Sequence, residues 1–385
     1  MGGSFAISEC RTTMTVLLSV VVPTARDVIA LPQALASLMA SDLPREFWEL
    51  VVVDDGSTDH TVGIAAPVAD CIVRIPGRSH GPAYARNRGA EAARGEILVF
   101  IDADVCVVPD TLRRFAWAFL ESPGLAAVSG AYADGAESRG VVSRYRDLTN
   151  HYLHTEARAL NSGFWADCGA VRRDVFLAVG MFNEWYFDRP QIEAIELGQR
   201  LKDRGARVEC RQEIQATHLK RWTLPGMIAA DLKDRGVPQS RLASISSRPD
   251  HRIARVREHL CAAMAWLAVA GLIGGGLGFR SGFVWSAGLL AGILWLDRPI
   301  IRLFYRRHGL GFSVAAASLQ WLHYLVGGVA SLLGMLLRHS IGDPQPSASV
   351  QAFSEVGVAK WPPVPKSSPS WRDPGSEGPT SGSTL

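Results

Sequence analysis

The sequence lacks paired cysteines. Cys10, Cys71, Cys106, Cys168, Cys210 and Cys261 are scattered, with no CxxC pair and no His-Cys cluster. That argues against a disulfide framework or a zinc site and leaves reduced thiols in a cytosolic setting as the expectation. A strong charge of one sign is also missing. The net charge is +3, so nothing points to a nucleic-acid surface covering the protein, and no nucleic-acid partner is expected. No secretory signal is expected either: LLSVVVPT has neither a basic flank nor a small-residue cleavage site, and it reads as a first buried strand. With 385 residues there is room for two domains and a substantial core.

Three regimes follow one another. From residue 14 to 225, apolar runs (VLLSVVVPT, FWELVVVDD, CIVRI, ILVFIDADV) alternate with helical stretches such as LPQALASLMAS and PAYARNRGAEAARG. Runs without polar alternation suit strands covered on both faces, so an α/β domain with a mostly parallel sheet is expected. Residues 226–258 form a connector in which PGMIAADLKDRGVP reads as an amphipathic helix lying at a membrane surface. Residues 259–338 are nearly charge-free. Leu260 to Leu296 carries one charge, Arg280, and suits two short spans turning near GGGLGFRSG; Leu310 to Leu337 suits a third. Arginines flank the first two spans at Arg248, Arg252, Arg255 and Arg257 and at Arg298, Arg302, Arg306 and Arg307. Positive charge on the inner side then places the α/β domain in the cytoplasm. Residues 339–385, rich in Pro, Ser and Gly, are expected to be disordered.

Within the first regime, two strands end in acids. ILVFIDADV closes on Asp102 and Asp104, and ELVVVDDGSTD closes on Asp54 and Asp55. Neighbouring carboxylates repel unless a cation compensates them, and hard Mg²⁺ or Mn²⁺ shares oxygen ligands with phosphates. Ligands of open α/β sheets sit at the carboxyl ends of strands. There Asp54 and Asp55 can accept from a base or from ribose hydroxyls, Pro23 and Thr24 can offer backbone groups, and Asp27 is a further acceptor.

SVVVPTARD, VVVDDGSTDHT, GPAYARNRGAEAARGEILVFIDADV and CGAVRRDVFLAVGMFNE resemble, in that order over residues 15 to 225, the family 2 inverting glycosyltransferases of GT-A fold. The resemblance implies a GT-A, Rossmann-like domain followed by an α-helical transmembrane region. It implies transfer of a sugar from a nucleotide diphosphate donor with inversion, aided by Mg²⁺ or Mn²⁺. By motif position, Asp54 and Asp55 contact base and ribose, Asp102 and Asp104 form the metal and diphosphate motif, and Arg86, Asn87 and Gly89 line the nucleotide side. The membrane region points to a lipid-linked or growing glycan acceptor, to contact with membrane lipids, and to a multi-pass bacterial inner-membrane protein.

The pattern breaks where the family keeps its Glu-Asp pair. In QIEAIELGQRLKDRG, Glu193 matches the Glu, but Ala194 stands where the Asp is expected, and alanine cannot accept a proton. Glu193 is the nearest substitute base and Asp188 the next; Glu196 reads as a surface pair with Arg200. A catalytically impaired nucleotide-sugar-binding membrane subunit is therefore a second expectation. ATHLKRWTLPGM resembles the QxxRW motif, with His218 replacing Gln. It offers Arg221 for the leaving diphosphate, Trp222 for stacking on an acceptor sugar, and His218 as a third metal ligand. Arg172–Arg173 is a candidate phosphate contact, and GGGLGF reads as small-residue helix packing.

Overall fold

Nine segments with strand-forming sequence pair into one sheet. In this computed structural model, which describes residues 6–8, 16–133, 140–155, 164–184, 192–242 and 249–341, they are β1 (Ala6–Ser8), β2 (Leu18–Thr24), β3 (Trp48–Asp55), β4 (Cys71–Ile75), β5 (Ile97–Ile101), β6 (Val105–Val107), β7 (Leu125–Tyr132), β8 (Cys168–Arg172) and β9 (Arg207–His218). Their order is β1-β4-β3-β2-β5-β8-β7-β9-β6. The block β4-β3-β2-β5 is parallel, and every residue of β2, β3 and β5 is buried, as unalternating apolar runs require. Beyond β5 the sheet becomes mixed: β8 and β7 run antiparallel, and β9 returns parallel to β7.

Helices cover both faces. On one lie α1 (Leu31–Met39), α2 (Thr61–Ala65) and, further along, α4 (Thr111–Glu121), packing Leu31, Leu38 and Phe115 on the sheet. On the other lie α3 (Pro82–Ala92), α6 (Arg173–Ala178) and α7 (Glu193–Asp203), packing Ala90, Phe176 and Leu197. A Cβ on Gly89 of α3 would stand 2.4 Å from Val21 Cγ1 and 2.8 Å from Val53 Cγ2, so the missing side chain sets how closely α3 meets β2 and β3. Cysteine chemistry differs from expectation at one point: Cys71, opening β4, is disulfide-bonded, while Cys106, Cys168, Cys210 and Cys261 are free.

After β9 the chain is helical. α5 (Val141–Thr155), from the sheet domain, meets α8 (Leu224–Ala229) and the later helices in a separate core of Tyr145, Leu148, Met227, Ile300 and Phe304. A π-helical turn, Ala230–Gly236, leads into α9 (Val237–Leu242), so the connector is helical but not one regular helix. α10 (Pro249–Gly276) and α11 (Ser281–Leu296) form the hairpin expected at GGGLGFRSG, crossing so tightly that a Cβ on Gly282 would lie 2.3 Å from Gly271 O. α12 (Arg298–Ile341) is interrupted at Gly309, whose φ is 75°. Among the described residues, Val256–Gly276 and Arg298–Leu337 are long and apolar enough to cross a membrane, whereas α11 is shorter. Their outer faces expose Leu267, Ile273, Trp285 and Leu336. The tail expected to be disordered lies, from residue 342 on, outside the described residues.

Replacing Gly89 by Ala should destabilise the sheet domain by about 1–3 kcal/mol, the usual cost of overpacking a filled core. Thermal unfolding of the purified protein in detergent checks this; an unchanged midpoint would mean α3 can move outward without loss.

Candidate functional site at the carboxyl edge of the sheet

Register brings the acids together. Thr24 pairs with Asp54 across β2–β3, and Ile101 pairs with Cys168 across β5–β8. The carboxyl ends of β2, β3 and β5 therefore share an edge with the start of the antiparallel β8, where Asp102 N donates to Asp167 O at 3.2 Å. Pro23 lies inside β2, opposite Val53. At the rim, Thr24 Oγ1 and Ala25 N approach Asp27 Oδ2 at 3.5 and 3.4 Å, and Arg26 N donates to Ser57 Oγ at 2.9 Å. The Asp27 carboxyl is raised above its ordinary value, chiefly by burial and with Asp104 contributing repulsion.

Asp54 accepts from Ser57 N at 3.1 Å, with Arg74 Nε at 3.9 Å. Asp55 is more committed: it accepts from Ser79 Oγ at 2.7 Å and from His80 N and Gly81 N at 2.8 Å. It therefore ties the loop before α3 to the end of β3, and this geometry gives it a shaping part in the pocket. His80 stacks on Tyr84 with ring centroids 4.8 Å apart.

Arg86 is the hub. Buried on α3, it donates from Nη1 to Glu193 Oε1 at 2.8 Å and from Nη2 to Asp102 Oδ1 at 2.5 Å. Its neighbour Asn87 grips the Phe182 backbone and the Glu184 side chain, donating to Phe182 O and Glu184 Oε2 and accepting from Phe182 N. Asn87 thus fixes a loop at this position. Glu193 is 5% exposed and holds Arg86, while Ala194 sits in the core beside Leu197. Glu196 pairs with Arg200 at 2.7 Å, as expected. Asp188 lies outside the described residues.

Asp102, Asp104 and Asp167 stand within Coulombic reach of one another. Burial first, then Asp167 and Asp104, push the Asp102 carboxyl up to about 7 against the opposing pull of Arg86. This surplus of carboxylate fits a divalent cation. Among the described residues no three His, Cys, Asp or Glu side chains converge as a complete cage, so Asp102 and Asp104 would share the ion with ligand oxygens, the usual manner of Mg²⁺ at phosphates. His218 fits this set poorly. Its Nδ1 accepts from Lys220 N at 3.0 Å, so in the neutral ring Nε2 carries the proton and faces Asp104 Oδ1 at 3.6 Å. It turns an N–H, not a lone pair, towards Asp104.

Two participants escaped the sequence reading. Asp167 precedes CGA, and Tyr132 ends β7; the Tyr132 hydroxyl donates to Asp167, and its ring meets His218 edge-on at 5.8 Å. Only the antiparallel register of β8 on β5 could have revealed Asp167. Other expectations are corrected. Trp222 packs between α5 and α8, with Arg146 5.3 Å and Lys220 4.3 Å from its ring centroid and its backbone N–H donating to Ser143 Oγ; this is packing more than an acceptor platform. Arg221 is exposed. Arg172 pairs with Ile97 at the opposite edge of the sheet and donates to the Leu125 and Pro123 carbonyls, so it does not approach the carboxylates.

A raised Asp102 gives a pH signature. Its folded value, about 7, exceeds the ordinary 3.8, so the folded metal-free protein holds a proton that the unfolded chain has released. This contribution is complete below about pH 4 and is lost as pH rises towards 7. Thermal unfolding in detergent with chelator should show that slope, and Asp102→Asn should flatten it. Mn²⁺ must displace the same proton, so its affinity should weaken below about pH 7.

Comparisons with known proteins bear on the family and the fold. Residues 19–180 match the family model "Glycosyl transferase family 2". Poly(ribitol-phosphate) beta-N-acetylglucosaminyltransferase TarS of Staphylococcus aureus is 35% identical over 107 residues, 27% of this chain and 18% of that protein. Undecaprenyl-phosphate 4-deoxy-4-formamido-L-arabinose transferase of Shewanella sediminis is 31% identical over 134 residues, 33% of this chain and 37% of that protein. The chain thus spans well under two thirds of these curated relatives. The solved structure of mannosyltransferase PcManGT from Pyrobaculum calidifontis, in complex with GDP-Man and Mn²⁺, is similar in fold, with TM-score 0.50, 18% identity, and 83% of this chain and 88% of that one covered. Residues 19–180 are thus similar to glycosyl transferase family 2, and the sheet domain has a GT-A fold.

Proposed function

We propose that the chain transfers a sugar, with inversion, from a nucleoside diphosphate donor to a lipid-linked or growing glycan acceptor at the cytoplasmic face of a bacterial inner membrane. The observation that carries this reading is the carboxylate surplus at the end of β5, where Asp102 and Asp104 face Asp167 with Arg86 as the joined guanidinium. The relatives support it in kind. One is named for transfer involving undecaprenyl phosphate, and the similar fold was solved with GDP-Man and Mn²⁺. The apolar outer faces of α10 to α12 support the membrane assignment. We assign residues 14–225 to the catalytic domain, 226–258 to the connector and 259–338 to the membrane helices.

Asp102 and Asp104 would hold a divalent cation, which would supply Lewis-acid stabilisation to the departing diphosphate. Arg86 pulls Asp102 towards its ionised form and tethers it at the rim, and His218 lies beside Asp104. Thr24, Asp27 and Asp54 receive the nucleoside, in a pocket whose wall Asp55 shapes. The acceptor hydroxyl attacks the anomeric carbon as the bond to the diphosphate oxygen breaks, and its proton goes to a carboxylate on the opposite face. Glu193 is the described candidate, and Asp188 the second.

A second reading has a specific observation behind it. Ala194 is buried and Glu193 is committed to Arg86, which favours a subunit that binds nucleotide sugar without turning it over. Purified full-length protein in detergent, offered a panel of nucleotide sugars with and without Mn²⁺, separates the two. The enzymatic reading expects metal-dependent release of nucleoside diphosphate, loss of the metal effect in a folded Asp104→Asn variant, and about a 100-fold or greater fall in Glu193→Gln. Donor binding without turnover, indifferent to Glu193→Gln, would establish the binding subunit instead.

A further inference from the structure

In sequence Leu310–Leu337 suits a third span, yet in the fold its neighbours lead back to the sheet domain. Ala316 packs in one cluster with Tyr145 of α5, and Gln320 accepts from the Tyr145 hydroxyl at 2.7 Å. His323 Nδ1 lies 2.9 Å from Asp231 Oδ2 of the π turn, and a Cβ on Gly236 would stand 2.4 Å from Ala330 Cβ. A Cβ on Gly334 would stand 3.1 Å from Val237 O of α9. From Ala316 to Gly334, α12 therefore runs along α5, the π turn and α9 for about 27 Å. That is nearly the thickness of a hydrocarbon core, about 30 Å. A crossing α12 would take those elements in with it, and with them exposed Arg144 of α5 and exposed Lys233 of the π turn. Transmembrane segments avoid lipid-facing charge of this kind.

The α10–α11 hairpin is different. Its outer half closes on itself: Ser286 Oγ donates to Ala268 O at 2.8 Å, and a Cβ on Gly275 would meet the Phe283 ring at 2.9 Å. α12 meets the hairpin at its base. There Asp297 accepts from Arg257 at 2.6 Å and from the Tyr324 hydroxyl at 2.8 Å, and Trp266 Nε1 donates to Leu325 O at 3.1 Å. A polar belt surrounds that base. Arg298, Arg302 and Arg306, four apart, are exposed on the side of α12 away from buried Ile300, Leu303 and Phe304. Trp295, whose ring lies 4.6 Å from the Arg298 guanidinium, and Tyr305 are exposed beside them. Arginine with Trp and Tyr is the composition of the headgroup level. Past the break at Gly309, Leu310, Val314, Leu332, Leu333 and Leu336 are exposed. At about 3.6 residues per turn these five fall on the side opposite Ala316, Gln320 and Gly334. One face of α12 is held by the domain, and the apolar one continues the lipid-facing surface of the hairpin.

We propose that α12 lies along the cytoplasmic surface of the bilayer, its apolar face on lipid at the headgroup–acyl boundary, and that only the α10–α11 hairpin enters. The end of α12 then shares the side of the sheet domain. This inference rests on the membrane placement proposed above. The test uses the full-length chain with an epitope at each end, expressed in a bacterial inner membrane, and adds protease to spheroplasts and to inverted vesicles. Both epitopes should survive in spheroplasts, and both should be digested in inverted vesicles. Loss of the C-terminal epitope in spheroplasts, with the N-terminal one protected, would mean that α12 crosses; the proposal then falls while the membrane reading stands. If alkaline carbonate extracts the chain from the membranes, the membrane reading fails, and the surface helix with it.

Discussion

One buried guanidinium holds the edge of the sheet in register. Arg86 joins Asp102, at the end of β5, to Glu193, at the start of α7, and so ties three elements that are distant in sequence. Such a buried arrangement adds little net stability over a well-packed apolar alternative. Its value is positional, because removing the arginine would strand two carboxylates in a poorly hydrated place already crowded by Asp104 and Asp167. The same bridge explains why Glu193 is not a free acid. Because one guanidinium serves both carboxylates, the charge of Asp102 and the hold on Glu193 are electrostatically linked.

The fold was largely legible because its signals are local. β2, β3, β4 and β5 follow the apolar runs, and the DDG and DAD stretches fall at strand ends as a parallel α/β pattern requires. The helical hairpin at GGGLGFRSG was legible for the same reason, since small residues permit close crossing wherever the chain places them. What escaped depended on pairing between distant segments. Asp167 joins the site through the antiparallel register of β8 on β5, and a lone acid before CGA announces nothing by itself. Asp55 and Asn87 matched a motif by position, yet their hydrogen bonds run to the 79–81 and 182–184 segments, which no spacing rule anticipates. For His218, the deciding fact was a single backbone N–H that fixes the neutral tautomer.

The helices after β9 pack against the sheet domain through α5 and the π turn. Tyr145 of α5 donates to Gln320 of α12, and Arg146, one residue on, meets Asp231 of the π turn, which also faces His323. Burial alone would raise the Asp231 carboxyl, but the hydrogen bond with His323 and the charge of Arg146 bring it down to about 2. It therefore stays ionised at any ordinary pH, and the clamp does not loosen with modest acidification. α5 leaves the sheet after Tyr132, the residue that orients Asp167. α12 thus reaches the sheet domain through α5, whose chain leads back to Tyr132 and Asp167. The acid that the sequence kept hidden lies where the carboxylate edge meets the strand that leads into α5.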